Sequence, residues 1–196
     1  MQHLFAGIDA YLQILREGRR PVLVGSYTND AQRDDALEKW MKQNEKEIQK
    51  GLDAERAFLS EKYALAALCG SLLQIAAMAI RLYSKNGNVL PELSGVMKQA
   101  AIPYCIGRLV RGVPLGLVIY AGRNQYNHIE DNQLREPSST VFEWLATKHD
   151  YGQGIRDPAF DLSAGLVWNY ASNVTSLVGW RDYESYEKDM RSLLGI

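Results

Sequence analysis

The residues best suited to chemistry are crowded into one stretch, Gly122-Arg123-Asn124-Gln125-Tyr126-Asn127-His128-Ile129-Glu130-Asp131. It follows the apolar run 115–121 without a break. A solvated helix face needs no such mixture, and a core helix would be damaged by it. His128 is of the type that takes or gives a proton near neutral pH. Arg123 offers a planar fork of donors that fits a phosphate and stabilises charge growing on its oxygens. Asn124 can orient either group or bond a non-bridging oxygen. This set suits phosphodiester cleavage in RNA, where the substrate supplies its own nucleophile, the 2′-hydroxyl. No metal, cofactor or side-chain nucleophile is then required, and the products would be a 2′,3′-cyclic phosphate and a free 5′-hydroxyl.

Spacing constrains how these groups meet. Residues four apart on a helix share a face, so Asn124 lies under His128 and Arg123 under Asn127. Arg123 and His128 are five apart, about 140° around the axis. Convergence on one phosphate then needs a wide cleft or a second copy of the helix. Tyr126 and Asn127 are candidates to line the site, with local packing as the alternative. Arg108 and Arg111, with Arg19, Arg20 and Arg135, are candidate phosphate contacts, against scattered surface charge. His3 and His149 carry no partner pattern, although His149-Asp150 is a faint second candidate.

The elements that must hold this stretch read as helices. Leu4, Ile8, Tyr11, Leu12 and Leu15 give a helix over 3–17, followed by an extended connector at Val22-Leu23-Val24. Thr28-Asn29-Asp30 offers caps for a charged helix over 31–50. Residues 52–83 form a central core helix, its apolar side widening until it covers most of the surface. A helix over 89–112 is disturbed by Pro103, and Pro114 starts the helix carrying the motif, which runs to Leu134. Thr140 to Glu143 fits a capping box for a short helix to Lys148. A loop over 150–158 and two helices, 161–178 and 182–194, complete the chain, with no alternation long enough for a sheet.

Bulk properties narrow the classes further. With 196 residues, 46% hydrophobic and 23% charged, the chain suits one globular domain. A net charge of −1 provides no global attraction to nucleic acid or an anionic membrane, so any RNA contact must be local. Cys69 and Cys105 lie in apolar surroundings without metal-type spacing and read as reduced, buried thiols. Residues 1–17 are amphipathic rather than a leader, and 64–80 is interrupted by Gly70, Ser71 and Gln74, so no membrane role is expected. Trp168, Tyr170, Trp180, Tyr183 and Tyr186 could stack bases, but their spacing favours core or dimer contact.

Arg123-Asn124-Gln125-Tyr126-Asn127-His128 resembles the R-x(4–6)-H motif of the HEPN superfamily, in the variant with a polar residue directly after the arginine. The resemblance covers this hexapeptide and a compatible helical layout. It implies an all-α helical bundle, with the N-terminal helix and connector (1–30) and a C-terminal helical pair (150–196) added to it. It also implies a metal-independent endoribonuclease in which Arg123 and His128 are catalytic, Asn124 is their polar support, and the composite site forms in a homodimer. A cytoplasmic toxin or anti-phage effector, with an antitoxin or other regulatory partner, follows from the same resemblance. The alternative is a non-catalytic domain that binds RNA, nucleotide or a protein through the same cleft. The chain carries Glu130 where the nucleotide-silenced toxins of the family have a tyrosine, so the resemblance does not extend to that regulation.

Overall fold

The computed structural model describes every residue except 18–20, 132, 151, 153 and 164–168. The architecture is mostly helical, as expected. Helices α1 (Gln2–Glu17), α2 (Asp30–Gln43) and α3 (Glu45–Tyr83) precede two 3-10 helices, Pro91–Val96 and Gln99–Tyr104. A two-stranded hairpin, β1 (Leu109–Val110) and β2 (Val113–Pro114), leads into α4 (Leu115–Asn127). Helices α5 (Ser138–Thr147), α6 (Ala171–Leu177) and α7 (Tyr183–Leu194) follow.

The 39-residue α3 is the axis of the fold, about 58 Å long at 1.5 Å per residue. Its C-terminal half buries Leu72, Leu73, Ala76, Ala77 and Ile80, and α1, α4 and α6 pack around it. The span Glu61–Tyr83 has the length and mean hydropathy (1.9) of a membrane-crossing helix, with 44% of its window buried inside the fold. By contrast α2 buries no residue and is laced by the ion pairs Lys39–Asp35 and Lys42–Glu38, both 2.7 Å. Asn29 caps it, its side chain accepting from the Gln32 amide at 2.9 Å. The break before α3 falls at Asn44, whose side-chain amide takes the Trp40 carbonyl at 2.8 Å, while Gly51 stays helical and buried.

The segment 89–112 is not the helix expected. Its prolines lack backbone donors, so it breaks into the two 3-10 helices. Ser84 and Asn86 side chains then donate to the carbonyls of Pro103 (2.7 Å) and Ile102 (2.8 Å). The hairpin corrects the expectation of no strand at all. Arg111 (φ 49°) and Gly112 (φ 79°) form its two-residue turn, the left-handed pair that matches strand twist. Pro114 closes β2 instead of opening α4. The first amides of that helix, Leu115 and Gly116, bond back to the carbonyls of Arg108 (2.8 Å) and Ile106 (3.0 Å), which fills two of its orphan donors. Gly116 is obligatory here, because a Cβ would stand 2.5 Å from the Tyr104 carbonyl oxygen.

Three helix limits also differ from expectation. Helix α4 ends at Asn127, not Leu134: Asn127, His128 and Asp131 are poor helix formers whose side chains compete for local bonds. The amide of Asp131 turns onto the His128 carbonyl at 3.0 Å. Helix α5 begins at Ser138, so Thr140 sits inside it and its amide donates to Glu136 at 3.2 Å. Glu143 binds Arg156 instead of closing a capping box. Of the expected helix over 161–178, Ala171–Leu177 is helical and 161–163 and 169–170 are not, and residues 164–168 lie outside those described. Asp182 caps α7 at the Ser185 amide (2.7 Å), close to where the sequence placed its start.

Candidate functional site

The motif stretch faces two ways. Gln125 points into the core, fully buried, and its side-chain oxygen accepts the Tyr170 amide at 2.9 Å. Arg123, Asn124 and Asn127 lie on the other side, toward α3 and the start of α5. There Gln74 of α3 joins two of them: its carbonyl oxygen accepts from Arg123 Nε at 3.1 Å and its amide donates to Asn127 Oδ1. Asn124 donates to the buried Ser138 hydroxyl at 3.0 Å, and its own oxygen lies 3.5 Å from an Arg123 donor. The guanidinium is thus oriented entirely by neutral amides.

Arg123, Gln74, Met78, Arg81 and Tyr104 line a pocket of about 150 Å³. Among the described residues neither Arg123 nor Arg81 is paired with a carboxylate. Burial pushes the Tyr104 phenol above its ordinary value, and the positive charges of Arg123 and Arg81 pull the other way. Its hydroxyl donates to the Ala77 carbonyl at 3.0 Å. Two guanidiniums on a small concave surface without a counter-anion make a site for an anion with several acceptor oxygens.

His128 sits at the C-cap of α4, outside this pocket's lining and about half-exposed. Its Nδ1 lies 2.8 Å from Asp131 Oδ2. A carboxylate can only accept, so this contact places a proton on Nδ1 and leaves Nε2 open to solvent chemistry. Among the described residues His128 is not part of the lining of the Arg123 pocket, so within one chain that pocket does not join the two.

Comparison with protein-family models, curated proteins and solved structures returns no match for this chain.

The remaining candidates divide cleanly. Asn127 belongs to the Gln74 network. Tyr126 is committed to packing: its ring lies so close over Gly70 that a Cβ there would be 2.3 Å from it. Arg108 grips Asp189 (3.0 and 3.2 Å) and the Val178 carbonyl (2.6 Å), tying the hairpin region to α7. Arg111 is mostly buried, paired with Asp157 at 2.8 Å, bonded to the Leu145 carbonyl and 5.1 Å from the Phe160 ring centre. Both arginines, read from the sequence as candidate phosphate contacts, are engaged by partners within the fold. Arg19, Arg20 and Trp168 lie outside the described residues. Tyr183 and Tyr186 pack their rings against Phe5, and Trp180 packs edge-on against Tyr186, with Trp180 and Tyr186 buried. Cys69 is a buried free thiol and Cys105 a half-buried one. Among the described residues no three of His, Cys, Asp or Glu gather closely enough to hold a metal ion.

Sequence reasoning missed Gln74, Arg81 and Tyr104. Gln74 was noted only as an interruption of an apolar run, yet it falls seven residues before Arg81. At 100° per residue those two lie within about 20° of each other around α3. That shared face was the available signal.

Proposed function

We propose that this chain is a metal-independent endoribonuclease of the HEPN type, acting in the cytoplasm as a homodimer. The observation that carries the reading is the pair of guanidiniums without a carboxylate partner among the described residues, Arg123 of α4 and Arg81 of α3, lining one pocket, with the carboxylate-held imidazole of His128 at the C-cap of α4. In the proposed reaction Arg123 and Arg81 bind non-bridging oxygens of one RNA phosphate, and Asn124 and Gln74 keep the guanidinium of Arg123 aimed. His128 Nε2 of one copy removes the 2′-hydroxyl proton as the oxygen attacks phosphorus. The P–O5′ bond breaks, and the second copy's His128, in its protonated form, gives the 5′-oxygen its proton.

An apolar face supports pairing of two copies. Leu59, Tyr63, Met78 and Leu82 are 51–73% exposed. With Gln74 and Arg81 they fall in a sector of about 140° around α3. An exposed apolar stripe flanking a polar centre is the surface expected of an interface that encloses a site.

The test is RNA cleavage in chelator with analysis of product ends. Wild type should yield cyclic phosphate and 5′-hydroxyl ends. His128→Ala should lower the rate by about 10²–10⁴ and Arg123→Ala by about 10²–10³. Gln74→Glu, nearly isosteric, should fold normally and lose RNA binding because it neutralises Arg123. Cleavage undiminished in His128→Ala and Arg123→Ala would remove this site from the reaction. A second reading, RNA or nucleotide binding without cleavage, is favoured by one observation: His128 does not line the Arg123 pocket. It predicts Arg123-dependent binding with no product.

A further inference from the structure

A second cavity, of about 310 Å³, opens between α1, α3 and α6 and shares no lining residue with the Arg123 pocket. Its inner wall is apolar: Ile8 and Leu12 from α1, Leu65 and Cys69 from α3. Burial pushes the Cys69 thiol up, with the Thr175 hydroxyl acting weakly in the opposite sense, so the thiol stays neutral and adds to the apolar wall. On the α6 side stand the hydroxyls of Ser172 and Ser176. Trp180 also lines it, and Arg16 and Arg181 stand among its lining residues, both exposed. Arg16 shares one nitrogen between Asp9 (3.1 Å) and Gln13 (3.3 Å), which leaves its other donors open. Arg181 is paired with no carboxylate among the described residues.

We propose that this cavity binds a medium-chain acyl carboxylate, with the chain against the apolar wall and the carboxylate between Arg181 and Arg16. The volume stands at the lower end of small-molecule sites, roughly 300–1,000 Å³, which suits a short lipid-derived acid rather than a whole membrane lipid. The aliphatic side formed by Ile8, Leu12 and Leu65 favours contact with a hydrocarbon body, and the polar groups of the lining are confined to the α6 side and the arginines. A fork of guanidinium donors at the rim matches a carboxylate and gives the site its polarity.

Isothermal titration of the full chain with decanoate tests this, with decanol and acetate as tail-only and head-only controls. Decanoate should saturate at one per chain. Decanol, which lacks the charge, and acetate, which lacks the tail, should each bind at least about tenfold more weakly. Arg181→Ala, a surface change that leaves the fold intact, should weaken decanoate about tenfold. Leu12→Trp should fill the cavity and abolish binding, its fold checked by circular dichroism. Absence of saturable binding to wild type overturns the proposal. So does affinity for decanoate that neither variant changes, or affinity for decanol equal to that for decanoate.

Discussion

Replacing Asp157 decides whether Arg111 belongs to the fold or to a nucleic-acid surface. The pair is nearly enclosed, with side chains 14% and 10% exposed and a 2.8 Å separation. Removing one partner of such a pair costs about 3–5 kcal/mol, because the other charge is left buried. Arg111 would keep the Leu145 carbonyl and the Phe160 ring, which puts Asp157→Ala near the lower end of that range. The loss of the Asp157 bond to the Ala159 amide (2.9 Å) adds up to about 1 kcal/mol. A total of about 3–4 kcal/mol in a chain of this length lowers the thermal midpoint by roughly 6–16 °C. Arg111→Met should destabilise similarly, and the double variant should be less impaired than the sum, since no lone charge remains. Urea unfolding followed by circular dichroism gives the three values, and fluorescence anisotropy with a short RNA gives binding in parallel. Normal stability of Arg111→Met together with weakened RNA binding would refute the structural assignment and return Arg111 to the phosphate surface.

Gly116→Ala should destabilise although alanine favours helix by about 1 kcal/mol. The new Cβ would meet the Tyr104 backbone at 2.5 Å, and overpacking against an element that cannot rotate away costs about 1–3 kcal/mol or more, which a lowered unfolding midpoint would register. Hydrogen bonds from Arg156 and then Ser163 hold the Asp161 carboxyl down to about 2. Its contribution is therefore present above the ordinary carboxylate value near pH 4 and is lost as pH falls toward 2. Thermal midpoints measured across that window should fall more steeply in wild type than in Asp161→Asn, and parallel curves would count against the ion pair.

The helices that could be read from the sequence were those in which periodicity and burial agree. In α3, Leu65, Leu72, Leu73, Ala76 and Ile80 mark a face so apolar that only a central helix explains it. Helix α7 had both its cap, Asp182, and its stripe, Tyr186, Met190 and Leu193. Legibility failed where a backbone bond to a distant segment decides the outcome. The hairpin strands are two residues each, too short for an alternating pattern, and the turn Arg111-Gly112 lacks the usual Asn-Gly signature. Arg108 and Arg111 carried the residue type of a phosphate contact, but their partners Asp189 and Asp157 are 81 and 46 positions away. Nothing local distinguishes a buried arginine from a free one.

The same reasoning explains why Gln74, invisible as a site residue in the sequence, matters most to the candidate site. Arg123 emerges from a helix whose other face is fixed in the core through Gln125, so its base is rigid. Its guanidinium still needs a partner to hold a direction. A carboxylate at position 74 would hold it more strongly, since charge-assisted bonds are about twice as strong as neutral ones. It would also cancel the charge that an incoming phosphate must find. The amide orients Arg123 through one oxygen, engages Asn127 through its nitrogen, and leaves the positive charge of Arg123 and Arg81 uncompensated at the pocket. A structural arginine is usually given an acid, as Arg108 and Arg111 are here. An arginine given only amides, beside a second arginine with no carboxylate partner among the described residues, is arranged to receive its anion from outside.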